Sequence, residues 1–274
     1  MTQPVVSPSV LRLSIAAAVF ARCMETSGGD VPARLFLLRG FPLAVGMVLL
    51  AALLLERENR NRSTLFCSVC RIGMLLWAAA ELVDAAREAQ SLCWEQFSSM
   101  AVIGFLPLLL AAGWCLAPET FSRAARILWG LAAVGGLIGI VGLAGQFHWQ
   151  NLLETASFRA GRVTLPLYLE YFLLPQTTET SAKSRLLRTV WLPMEAFLLE
   201  GGVRLGQELL FGCSAYSGVE FLRAWTLGSV SRMDALFLLL WLAAALFRIC
   251  FLTQILRLLA EPFWTPHIPW EAGA

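Results

Sequence analysis

The stretch from Ser231 to Leu259 reads SRMDALFLLLWLAAALFRICFLTQILRLL, and how it is read decides the fold. A polar start gives way at Ala235 to an apolar run with one charge, Arg248, before Gln254 and Arg257. At about 1.5 Å per residue, roughly 22 such residues cross a hydrocarbon core of roughly 30 Å, so the run predicts a transmembrane helix. Ser231 followed three residues later by Asp234 fits a capping box, whose side chains satisfy free amides at a helix's positive end. Asp234 therefore reads first as a cap and second as a functional carboxylate, because such caps open helices of every kind.

The composition extends this reading to the whole chain. Hydrophobic residues make up 58% of the 274 and charged residues 15%, against about 25% in soluble domains. Mean hydropathy is +0.67. These values call for lipid as solvent and describe an integral membrane protein with the bilayer as its first partner. A net charge of +2, from 21 basic and 19 acidic residues without a basic tail or patch, excludes nucleic acid as a partner. Seven cysteines are scattered, mostly in apolar runs where thiols act as small hydrophobes. Cys67 and Cys70 form a CxxC inside a predicted membrane helix, and no second Cys/His pair accompanies them, so they read as packing and no metal is expected. The two histidines, His148 and His267, both fall outside the apolar runs. A histidine-assisted nucleophile has no place at depth, so the expectation is a non-enzyme with no catalytic residue and no cofactor.

Eight apolar segments follow in order. The first, Val10 to Met24, is short and ends at a breaker, Ser27 to Asp30; Arg22 beside Cys23 argues against a signal-peptide cleavage site. The second, Leu35 to Leu55, ends in ERENRNR. The third starts near Thr64, carries Arg71, and turns amphipathic where Glu81, Asp84 and Glu88 are spaced to share a face, its far end leaving the membrane. The fourth and fifth, Met100 to Leu116 and Ile127 to Leu143, are joined by PETFSRAAR, after which His148 and Trp149 suit an interface. The sixth, Val163 to Pro175, is short, bounded by prolines, and carries Glu170; SAKSRLLR follows. The seventh, Val190 to Gly212, sets Glu200, Arg204 and Glu208 on one face at successive i+4 steps, placed to stabilise one another. The opening stretch is the eighth. Basic connections after segments two, four and six predict cytoplasmic N- and C-termini by the positive-inside rule.

A charge at bilayer depth costs about 2.5 to 3.5 kcal/mol on insertion scales, and so marks a pair, a cavity or a function. Arg22, Arg39 and Arg248 lie near enough to segment ends to snorkel. Arg71 and Glu170 do not, and read as intramembrane pairing or a ligand site. The two short segments are the first and the sixth, which is the spacing of the discontinuous helices that form substrate sites in inverted five-helix-repeat transporters.

Several of these stretches together resemble the spore germination permeases, the B subunits of nutrient germinant receptors, a branch of the amino-acid/polyamine/organocation transporters. The resemblance is carried by SRMDALFLLLWLAAALF with Arg232, Asp234, Ala235, Phe237 and Trp241, and more weakly by VSPSVLRLSI, FHWQNLL and YLEYFLLP in the same order. It implies an all-α polytopic membrane protein of about eight transmembrane helices, a truncated LeuT-like inverted-repeat (5+5) architecture. One transmembrane domain would fill residues 1–274, with a first repeat over about 6–150, an incomplete second repeat over about 160–259 and a cytoplasmic tail at 260–274. It implies a small-nutrient pocket, amino-acid type, between helices one, three, six and eight, with Arg22, Arg71, Tyr168, Glu170 and Asp234 as its ligand-binding residues. Partners would be germinant-receptor A- and C-type subunits in the spore inner membrane. The chain departs from the pattern in helix one, AAAVFARCM, which lacks the unwinding glycines, and at Tyr168, where a small residue is usual. Two other functions fit the same fold: secondary transport of an amino acid or amine, and a non-transporting scaffold.

Overall fold

Helix is the only regular structure in a computed structural model that describes residues 7–25, 31–60, 64–96, 101–152, 163–173, 190–212 and 234–264. The described helices are α1 (Pro8–Glu25), α2 (Ala33–Arg60), α3 (Thr64–Gln96), α4 (Ala101–Cys115), α5 (Pro118–Leu143), α6 (Leu192–Phe211) and α7 (Asp234–Trp264). Among the described residues three segments are long and apolar enough to cross a membrane, Ala33–Leu53, Pro118–Gln146 and Phe237–Glu261, with Gly104–Cys115 a shorter apolar helix. The chain is thus an all-helical protein with membrane-spanning character.

One expected connection and one expected segment turn out differently. PETFSRAAR is not a loop but the first turns of α5. Pro118 sits at the helix start, where its missing N–H is no loss, and Glu119 is in the first turn, where the macrodipole favours a carboxylate. The sixth segment is not a helix over its described part: residues 163–168 are irregular and only Leu169–Phe172 winds, as a single 3-10 turn. Pro166 supplies no amide donor and disfavours helix in the residue before it. SAKSRLLR, the connection before α7 and the C-terminal 265–274 lie outside the described residues, as do the side chains of Cys67, Cys70 and Asp234.

The core forms where α7 crosses the others. It packs on α1, α3, α4 and α5, while α2 packs on α6, and α1 also lies against α5 and α6. Leu11, Ile15 and Val19 of α1 meet Phe247, Phe251 and Ile255 of α7, with Leu169 from the 3-10 turn and Phe121 from α5. The α4–α7 contact is backbone-close. A methyl group at Gly113 would run into the Cys250 carbonyl and stand 2.7 Å from Thr253 Cβ, so only glycine fits there. Arg257 donates to the Trp114 carbonyl and the Cys250 thiol to Leu109 O at 3.4 Å, tying the same pair of helices.

Candidate functional site

The site is a buried charge cluster at the centre of this core. Glu81 and Glu88 are seven residues apart on α3, two helical turns, which puts both carboxylates on the face turned toward α7. Arg248 of α7 answers them: Nη2 lies 2.8 Å from Glu81 Oε2 and Nη1 lies 3.7 Å from Glu88 Oε2. The 3-10 turn adds Glu170, whose Oε1 is 3.5 Å from Arg248 Nε and accepts the Ser14 hydroxyl of α1 at 2.6 Å. The Leu169 amide, freed because the segment is not a continuous helix, donates to Glu81 Oε1 at 2.7 Å. Glu170 is fully buried and Arg248 is 3% exposed. The Tyr168 ring lies 5.6 Å from the Arg248 guanidinium carbon and edge-on to Tyr171.

A second polar group adjoins it. Glu200 of α6, also buried, accepts Arg204 Nη2 at 2.9 Å, and Arg22 Nε of α1 lies 3.8 Å away. Arg22 Nη2 donates to the Thr164 carbonyl at 2.6 Å, so the irregular stretch before the 3-10 turn is pinned to α1 by its own backbone. Glu208, expected to join Glu200 and Arg204, instead accepts the Ala33 amide at 2.6 Å and caps the positive end of α2. Arg204 sits over the Phe36 ring at 4.6 Å.

Three of the five sequence-derived candidates are brought together by these contacts and two lie apart from them. Glu170 is central, Tyr168 flanks it, and Arg22 belongs to the adjoining group. Asp234 is the first described residue of α7, fourteen residues from Arg248, or about 21 Å along the axis. Arg71 is partly exposed and makes no hydrogen bond or ion pair among the described residues; it lies ten residues, about 15 Å, from Glu81.

Snorkelling is corrected for Arg248, which turns inward because three carboxylates wait there. Arg22 also pairs with protein rather than headgroups, whereas Arg39 is exposed. The three acidic residues spaced to share a face of α3 differ in burial: Glu81 is buried and Glu88 partly so, whereas Asp84 is exposed, 3.6 Å from Arg87. Ser14, Glu81, Glu88 and Arg248 are the site residues that sequence reasoning passed over. Their signal was arithmetic, an unbalanced arginine in a long apolar stretch and two glutamates seven apart in another helix. Phe237 and Trp241, which carried the resemblance, are buried packing residues, the latter 6.4 Å from the Phe20 ring.

No known family, curated protein or solved structure matches the chain.

Proposed function

We propose that the chain is a permease-like membrane subunit of a spore nutrient germinant receptor, sensing a small amino-acid-type nutrient or supporting the receptor complex. One observation carries the reading. The two short segments meet each other through Ser14 and Glu170 against α3 and α7, although only the one around the 3-10 turn is discontinuous and α1 is an unbroken helix. That is the set of elements from which the resemblance builds a ligand pocket. The naming of the receptor rests on the sequence likeness, with A- and C-type subunits as partners and the spore inner membrane as location.

The mechanism is population shift. A ligand that prefers one position of the 3-10 turn against α1 and α3 biases the chain by its differential affinity, and a partner subunit in contact with those elements reads the bias. The second reading, a non-transporting scaffold, is favoured by Arg248, whose guanidinium already occupies the carboxylates that an amine ligand would need. Purification of the tagged protein from spore membranes tests both against a solitary transporter. Co-purification of the two other receptor subunits is the expected result. Sensor and scaffold then separate on the germination of a strain carrying Glu170→Gln: loss of response to one nutrient class marks a sensor, and an unchanged response a scaffold. Saturable uptake by the isolated chain in proteoliposomes, with no partner recovered, would overturn the proposal.

A further inference from the structure

The cluster around Arg248 is out of balance in two independent ways. Its charges do not sum: one guanidinium faces Glu81, Glu170 and Glu88, and taking each unneutralised ion out of water costs several kcal/mol. Its hydrogen bonds do not close either. Glu170 Oε1 has both the Ser14 hydroxyl and Arg248 Nε, whereas Oε2 is fully buried and has no donor among the described residues. Glu81 and Glu170 converge on the same guanidinium, at 2.8 Å and 3.5 Å, and the Leu169 amide next to Glu170 binds Glu81, so two carboxyls crowd one cation where a donor belongs.

We infer that Glu81 and Glu170 form a proton-binding site, one proton shared between the two carboxyls and held against Arg248. The proton removes one negative charge and supplies the donor that Glu170 Oε2 lacks. A proton fits where other cations do not: no three of the His, Cys, Asp and Glu residues described converge as metal ligands, and Glu170 has no exposed surface for an organic amine to approach. A carboxyl pair that shares a proton because both members cannot ionise side by side is the general behaviour of two adjacent buried acids.

The groups facing the pair from each element are these. Arg248 comes from α7, Glu88 from α3 and Ser14 from α1; Tyr168 and Tyr171 flank Glu170 on the turn; Arg22 of α1 and Arg204 of α6 are engaged with Glu200 in the adjoining group. Loss of the proton leaves adjacent anions on α3 and on a single 3-10 turn, and the turn is the lighter element. Raising the pH therefore drives Leu169–Phe172 away from α3 and opens the contact between Trp77 and Phe172, whose rings are 5.4 Å apart. The inference does not depend on the receptor assignment, since its test uses the purified chain alone.

Infrared spectroscopy of the full chain in lipid, at neutral pH, reads the proton directly. The expected result is a protonated-carboxyl C=O band that disappears in Glu81→Gln and equally in Glu170→Gln, because either amide leaves a single carboxylate paired with Arg248. No such band in the wild type, or a band that survives either change, overturns the inference. Thermal unfolding gives a second readout. Each single variant keeps a Tm near the wild type, the amide taking the proton's place, and the double variant lowers Tm by more than the two single shifts added. Single variants that each abolish folding overturn the shared proton in favour of two obligatory anions.

Discussion

Helices α5 and α7 are alike in length and apolarity, yet 67% of the spanning window of α7 is buried inside the protein and only 17% of that of α5. The buried side of α5 repeats at four-residue steps, Phe121, Ala125, then Gly135, Gly139 and Leu143. Its remaining surface, with Leu131, Val134, Leu137 and Val141, is bare. In α7 the buried residues run nearly all the way round, from Phe247 through Leu252 to Ile255. Average hydropathy does not separate the two, because lipid and a protein core are equally apolar solvents. What separates them is the charge inside: α5 has none in its apolar part, whereas Arg248 of α7 must have carboxylates around it, and the elements that bring them bury the helix.

The largest effect that tests this comparison comes from removing that charge. Arg248→Met keeps the stem's volume and leaves Glu81, Glu88 and Glu170 without a counter-ion. Breaking one partner of a buried pair costs about 3 to 5 kcal/mol. Equilibrium unfolding in mixed micelles should show a destabilisation of that size, while Leu137→Met on the bare face of α5 should show no change. Equal responses from the two helices would mean that α7 is not organised around its arginine.

The arrangement of the helices was more legible in the sequence than the arrangement of the charges. Helices α2, α3, α4 and α6 lie within a few residues of their apolar runs. Glu170 stood out because a carboxylate in a short, proline-bounded segment has no other use. Arg248 did not stand out, because a long side chain near a helix end is explained by snorkelling until its partners are known, and those partners come from residues 81 and 170. Glu208 was misread for a related reason. Its i+4 spacing to Arg204 promises a pair, but the free amide of Ala33 on another helix competes for the carboxylate and wins. Spacing along one helix reports which groups can meet; it does not report what arrives from elsewhere.

A middle-sized effect tests the packing half of the comparison. Gly113 of α4 lies against the α7 backbone, whereas Gly136 on the outer side of α5 has open space where a methyl group would go. Gly113→Ala forces the helices apart and should cost about 1 to 3 kcal/mol, the range for overpacking a close contact. Gly136→Ala has nothing to displace and should be neutral in the same unfolding experiment. If Gly113→Ala were equally silent, α4 and α7 would not be held at backbone distance.

The smallest expected effect says most about what covers α5. Leu137 is 65% exposed, and lipid tails are as apolar as the side chain itself. Leu137→Ala in a bilayer therefore exchanges one lipid contact for another, and the stability change should stay within about 0.5 kcal/mol, as for surface positions generally. A partner helix seated on this face would change the outcome, because truncating a leucine packed between helices leaves a cavity and costs about 2 to 5 kcal/mol. The same variant measured twice, on the isolated chain and in its native membrane, thus distinguishes a face that meets only lipid from one that meets protein. A near-zero value in both settings leaves α5 facing lipid, and any docking of partners must then use another surface of the bundle.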